Sequence, residues 1–346
     1  MKALLAVSAV AAVVGVWDPA LGQTVDAAAL EGVVTIYTTT DETEAADLLA
    51  GFHALRPNIR VEYDELNSTE LYDRFLTEAA AGKFSGDLVW SSAMDQQMKL
   101  VNDGYAETYA SPEAARLPQW AVWNYEAYGV TAEPVAIAYN KGLLPAAEIP
   151  KTHTDLARLL TGKPEALKGK VATYDPERSA VGLLFITQDV QITKSTWDLV
   201  RAMGEAGVKL YSTTSTMLDR IAAGDQLIAY NILGSYAVER VKQEPSLGVV
   251  LPADYTIIMS RIAFIPKGAP HPNSAKLFLD YLLSKDGQTR LAARSLGSVR
   301  DDVAANSLEH KSFLRPIRVG PELLTYLDQA KRNRFLKDWR RALQTH

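Results

Sequence analysis

The chain has 346 residues, 36 lysines and arginines against 41 aspartates and glutamates, a formal net charge of -5, and no cysteine. The missing thiols exclude disulfides, thiolate zinc or iron–sulfur centres and cysteine nucleophiles, and the mild negative charge argues against a broad nucleic-acid surface. The length exceeds what one hydrophobic core usually supports, so two domains are expected.

In chain order, Lys2 precedes an apolar run from Ala3 to Val16 that is too short for a membrane anchor. It reads as a signal peptide over residues 1–22. The small residues Ala20 and Gly22 place cleavage before Gln23, with Ala27-Ala28 after Asp26 as the rival, and there is no cysteine to acylate. A soluble periplasmic protein of about 320 residues would remain, and a chain without thiols suits that oxidising compartment.

From Val33 the sequence alternates short β-rich runs with amphipathic stretches, the pattern of parallel sheet with helical crossovers. Val33 to Tyr37 predicts a strand. Ala45, Leu48, Leu49, Phe52 and Leu55 then share one helix face that ends at Pro57, and Ile59, Val61 and Tyr63 alternate as a second strand. Asn67 and Glu70 form a capping box for the helix bearing Leu71, Phe75 and Ala79, which stops at Gly82. Asp87 to Trp90 is a third strand; Ser91 and Ser92 open the next helix, with Asp95 reaching back to Ser92 and Gly104 as the stop.

Val135 to Tyr139 follows an aromatic stretch and reads as a first crossover between lobes. The alternation then restarts: strands over Lys170 to Tyr174, Val208 to Tyr211 and Leu227 to Asn231, with helices near Val181 to Asp189, Thr196 to Ala206 and Thr216 to Ala223. Val249 to Leu251 and Thr256 to Ile265 return the chain, and Asn273 caps a helix whose inner face carries Ala275, Phe278, Leu279 and Leu282. Two connecting segments imply a hinge. The boundaries expected are 23–134 with 261–346 for one lobe and 135–260 for the other. Lys331, Arg332, Arg334, Lys337, Arg340 and Arg341 lie at helical spacing and read as a solvated helix face, without nucleic acid as a partner.

Ligands of open parallel sheets gather at the carboxyl ends of strands, where the following helices point their N-termini. Three such ends are rich in hydroxyls: Thr38, Thr39 and Thr40; Ser91 and Ser92; and Ser212, Thr213, Thr214, Ser215 and Thr216. Helix-start amides joined by hydroxyls favour an anion, although capping alone also explains such residues. Ser179, with Arg178, marks a fourth strand end. For catalysis the signals are missing: His53, His153, His271 and His310 are scattered, and there is no Gly-x-Ser-x-Gly, His-Glu-x-x-His or phosphate-cradling glycine loop. No enzyme, cofactor or resident metal is expected.

Three runs, Tyr37 to Asp41, Asn67 to Tyr72 and Asp87 to Asp95, together resemble the ferric-iron type of ABC-transporter substrate-binding protein. The likeness extends through Ala136 to Asn140, Ala229 to Asn231, Asn273 to Leu283 and Gly297 to Val303. The resemblance implies a type II periplasmic-binding-protein fold, two doubly wound α/β lobes joined by a two-strand hinge and closing on a ligand in the cleft between. It also implies an inner-membrane permease and its ATPase as partners of a monomeric receptor, and it turns Tyr230, Asn231 and Tyr236 toward the cleft. Ferric binders similar to these carry adjacent tyrosines where this chain has Ser235, Tyr236 and Ala237. A hard trivalent cation needs several anionic oxygens, so the expected cargo is a small anionic organic molecule, an organophosphate or similar. Ferric iron, or ligand sensing for a membrane histidine kinase, are the alternatives.

Overall fold

The structure, a computed structural model, describes residues 19–303 and 312–344, with side chains from residue 24 onward. The signal-peptide expectation therefore lies outside the described residues, apart from the last few before Gln23, whose backbone opens helix α1 (Pro19–Glu31). Among the described residues no helix is long and apolar enough to cross a membrane.

The first lobe follows the expected alternation. Strand β1 (Val33–Thr38) is β-branched and aromatic and almost wholly buried, as a central parallel strand must be. Helix α2 (Glu42–Leu55) buries Ala45, Leu48 and Phe52 against it. Strand β2 (Arg60–Glu65) is the charged, half-exposed edge. Helix α3 (Ser68–Ala80) begins at the predicted box, with Asn67 and Glu70 bonding reciprocally, and Gly82 beyond it takes φ +65, the left-handed conformation that glycine ends helices with. Strand β3 (Leu88–Ser91) leads to helix α4 (Met94–Asn102), followed by Gly104 at φ +87. Helix α4 starts later than expected: Ala93 is its N-cap, and Asp95 accepts from the amide of Gln96 instead of reaching Ser92.

Short strands β4 (Val122–Trp123) and β5 (Ala127–Gly129) precede the long β6 (Glu133–Asn140). The second lobe contains α5 (His153–Gly162), β7 (Val171–Tyr174), α6 (Ala180–Ile192), α7 (Thr196–Glu205), β8 (Lys209–Tyr211), α8 (Thr214–Ala222), β9 (Ile228–Leu233), α9 (Gly234–Gln243) and β10 (Leu247–Val250). The chain returns through β11 (Thr256–Met259) and β12 (Ile262–Phe264), then α10 (Pro272–Leu283) and α11 (Lys285–Ala293). It ends on β13 (Leu314–Pro316) and α12 (Gln329–Gln344). His271, not Asn273, is the N-cap of α10; the Asn273 side chain instead donates to Glu31 at 2.8 Å.

One sheet has the order β2-β1-β3-β12-β5-β4 and the other β13-β11-β6-β9-β7-β8, with β10 beside β6. Each holds a parallel trio (β2-β1-β3 and β9-β7-β8) continued by antiparallel pairs, save that β13 lies parallel to β11 at the edge. This is the mixed, two-lobed architecture of periplasmic binding proteins.

The chain passes between sheets at residues 130–132 and again at 260–261, tighter than the crossovers read from sequence. The two passages bond to each other: the Val130 amide to the Arg261 carbonyl at 2.9 Å, the Thr131 amide to Ser260 Oγ at 3.2 Å, and the Arg261 amide to Thr131 Oγ1 at 2.8 Å. One assignment needs correction. The stretch 261–346 does not belong wholly to the first lobe, because β13 pairs with β11 and α12 packs on α7 through Phe335, Leu336 and Trp339. An amphipathic helix docks where an apolar face awaits it, and α7 buries Leu199, Val200 and Met203. The opposite, basic face of α12 reaches solvent, apart from pairs such as Arg340 with Glu177 at 3.0 Å.

Candidate ligand-binding cleft

A cavity of about 500 Å³ lies between the lobes, the size that small ligands occupy. On the first-lobe side it is lined by Thr39 and Asp41 before α2 and by the turn from Glu65 to Thr69 that opens α3. On the second-lobe side stand Tyr174, Arg178 to Val181, Ser212 to Ser215, Leu233 and Tyr236. Five helix N-termini, those of α2, α3, α6, α8 and α9, therefore converge on it, because each strand–helix turn sits at the carboxyl end of a parallel strand.

Several of these side chains are committed. Ser179 accepts from the Gly182 amide at 3.1 Å and Thr213 from the Thr216 amide at 3.2 Å, so both cap helices while lining the cavity. Thr214 is buried, sharing a hydrogen bond with the Tyr174 hydroxyl at 2.6 Å and accepting from the Leu233 amide at 3.1 Å. Ser212 and Ser215 are exposed to the cavity. The Arg178 guanidinium, also exposed, makes no hydrogen bond or ion pair among the described residues, and the turn holding it is fixed by backbone bonds from Arg178 and Ser179 to the Asp175 carbonyl.

Other residues expected at the ligand do not line this cavity. Thr38 is buried and accepts from the Thr40 amide at 3.0 Å, while Thr40 accepts from Arg261 at 3.2 Å. Ser91, 1% exposed, accepts from the Ala93 amide at 3.1 Å, and Ser92 holds Thr39 Oγ1 through its amide at 2.9 Å and its hydroxyl at 3.2 Å. This cluster braces Thr39. Tyr230 and Asn231 are more completely removed: both donate to the buried carboxylate of Asp189, at 2.7 and 2.5 Å, and Tyr255 donates to its other oxygen at 2.9 Å. Asp189 supplies the acceptor that a buried phenol must find, so Tyr230 turns inward from β9 and not toward the cleft.

Sequence reasoning missed Asp41, Glu65, Tyr174 and the loop Asn67 to Thr69 as cleft residues. It also missed what lies behind the cleft. Arg261 donates to Glu133 Oε1 at 2.9 Å, to the Thr39 carbonyl at 3.0 Å and to Thr40, and Ser235 donates to Glu133 Oε2 at 2.6 Å. Burial works against the Arg261 charge, but the Glu133 carboxylate and then Tyr236 outweigh it, and the guanidinium holds its proton more firmly than usual. Tyr236 stands between this group and the ligand space, 5.9 Å from the Arg261 guanidinium, with its hydroxyl donating to Asp41 across the cleft at 3.2 Å. Burial pushes the Tyr236 phenol upward, away from phenolate. Among the described residues no group of three or more His, Asp or Glu side chains is placed to hold a metal ion.

The family model for bacterial extracellular solute-binding proteins matches residues 47–312. A crystal structure of the substrate-binding protein of an ABC transporter from Agrobacterium tumefaciens is 40% identical, with a TM-score of 0.82 over 90% of this chain and 94% of that one. Iron-bound HitA from Pseudomonas aeruginosa has a TM-score of 0.71 over 90% of this chain and 99% of its own. Its 17% identity extends the likeness to fold alone. An uncharacterized protein of Haemophilus influenzae is 27% identical over 228 residues, which span 61% of this chain and 62% of that protein.

Proposed function

The chain belongs to the bacterial extracellular solute-binding proteins, and on that premise we propose that it is the periplasmic receptor of an ABC importer for a small anion-bearing organic molecule, an organophosphate or similar. It performs no chemistry. Its lobes close on the ligand and present it to an inner-membrane permease powered by a cytoplasmic ATPase, with the receptor acting as a monomer.

The observation that carries the ligand class is the second-lobe wall. The N-termini of α6 and α8 meet there beside Ser212, Ser215 and Arg178, which has no side-chain partner among the described residues, and neither helix has an acidic residue in its first turn. Helix-start amides and a guanidinium together favour phosphate, phosphonate or carboxylate. Ferric iron fits poorly beside them. Tyr236 is the phenol at the position of the tyrosine pair, its proton is held by burial, and its neighbour Ser235 is engaged with Glu133.

Calorimetry of the unliganded mature protein against sugar phosphates, alkylphosphonates and ferric citrate tests the reading. Micromolar binding of an organophosphate or phosphonate is expected. Tight ferric binding with a tyrosinate-to-iron colour band, lost in Tyr236→Phe and indifferent to Arg178→Gln, would replace the anion with iron.

A further inference from the structure

The two walls of the cleft are not electrostatically alike, although both present helix N-termini. On the first-lobe wall each N-terminus is already matched by carboxylates of the protein. Helix α2 carries Glu42 and Glu44 in its first turn, and its Glu42 amide is bonded by Glu65 at 2.8 Å. Helix α3 has Glu70 folded back onto the Asn67 amide at 3.2 Å. The partial positive charge of those two ends is thus largely spent. Asp41 and Glu65 line the same cavity, and of the four carboxylate oxygens they carry, Asp41 Oδ1 accepts from Tyr236 and Glu65 Oε2 from Glu42. The remaining two have no partner among the described residues.

The second-lobe wall is the reverse. Helices α6 and α8 have no acid in their first turns, and among the described residues Arg178 is the one charged side chain of that lobe lining the cavity. A purely anionic ligand would gain on this side and meet uncompensated carboxylates on the other. Arg261, behind Thr39, offers no relief, because its charge is taken up by Glu133.

We propose that the ligand is a zwitterion, with its anionic group on the second-lobe wall at Arg178 and the starts of α6 and α8, and a protonated amine on the first-lobe wall at Asp41 and Glu65. The inference rests on the anion reading above and sharpens it. An ammonium group supplies donors that the two free carboxylate oxygens lack and balances the charge of the closed cavity. It also gives closure a reason: only a molecule charged oppositely at its two ends draws both walls toward itself.

The test uses the full-length mature protein and probe pairs that differ by one amine: 2-aminoethylphosphonate with ethylphosphonate, and 4-aminobutyrate with butyrate. Calorimetry should show the amine-bearing member of at least one pair bound tenfold or more tighter. Asp41→Asn and Glu65→Gln should each erase most of that preference, weakening the amine-bearing member about tenfold while the amine-free member, relieved of a like charge, binds as well as before or more tightly. Asp41→Asn keeps an oxygen for Tyr236, and melting curves verify folding. Equal binding within each pair, with both members weakened by Arg178→Gln, would overturn the amine site and leave the anion seat standing. Failure of all four probes to bind would overturn the zwitterion, and failure of the sugar phosphates beside them would overturn the anion reading as well.

Discussion

Arg261 and Glu133 face each other at 2.9 Å with side chains 1% and 0% exposed, each at a joint where the chain passes from one lobe to the other. The pair also holds Thr131, Ser235, Thr40 and the Thr39 carbonyl, so the hinge and the floor of the cleft are one hydrogen-bonded unit. Removing one partner of such a pair leaves a buried charge uncompensated, which costs about 3 to 5 kcal/mol. Urea unfolding of Glu133→Gln and Arg261→Met should show losses of that size. The double change Glu133→Leu with Arg261→Met should lose less than the two single changes summed. Single losses below about 1 kcal/mol would mean that the pair behaves like an exposed one.

Binding and stability should separate along the cavity wall. Arg178→Gln and Ser215→Ala are expected to weaken the bound anion tenfold or more and severalfold respectively, since a hydrogen bond to a charged group contributes about 1.5 to 3 kcal/mol. Tyr230→Phe should leave affinity unchanged and lower stability by about 1 to 3 kcal/mol, because Asp189 loses a buried donor. Calorimetry beside unfolding curves resolves the two effects, and an affinity loss in Tyr230→Phe would return that residue to the site.

How far the sequence spoke can be seen in particular residues. Gly82, Gly104 and the Asn67–Glu70 box announced helix ends because their chemistry is local. The strands of each parallel trio were legible from the alternation, but their order in the sheet was not. Tyr230 could not be placed from sequence: a tyrosine at a strand end faces a ligand or the core according to what it can bond, and Asp189 lies 41 residues earlier. Arg261 and Glu133, 128 residues apart, leave no periodic trace. The docking of α12 on α7 was equally hidden, since the amphipathic face of Phe335, Leu336 and Trp339 does not say which lobe it will cover.

Processing makes a separate prediction. The mass of the periplasmic protein should correspond to an N-terminus at or within a few residues of Gln23. An intact Met1 on the mature protein would contradict export by a cleaved leader.

Acid should loosen the docking of the N-terminal helix. Glu31, at the end of α1, accepts from Asn273 Nδ2 at 2.8 Å and from the amides of Asn273 and Ser274 at 3.2 and 2.7 Å. Burial raises its pKa, but these bonds at the start of α10 outweigh it and hold the carboxyl below its ordinary value. A depressed carboxylate contributes stability above its unfolded pKa, near 4.3, that disappears as pH falls through the lower folded value. Glu31→Gln should therefore cost about 1 kcal/mol at pH 7, discounted for its exposure, and nearly nothing near pH 2 to 3. Unfolding curves of both proteins across that range check the sign; a difference that grows toward acid would reverse it.

Among the described residues the lobes touch across the cleft through few bonds, such as those that Tyr236 donates to Asp41 at 3.2 Å and Ser295 to Glu239. Each competes with water, so the net contribution of a bond of this kind is about 1 to 3 kcal/mol, small enough for an open form to be populated without ligand. A ligand that bonds both walls adds contacts only the closed form can make, and the populations shift by that difference. Small-angle scattering should show a smaller radius of gyration on adding a bound ligand. Tyr236→Phe should enlarge the unliganded protein's average and leave the liganded value nearly the same, because ligand contacts then dominate closure. Curves that superimpose with and without a tightly bound ligand would rule out jaw-like closure, and an unliganded Tyr236→Phe protein no larger than the wild type would remove the tyrosine from the latch.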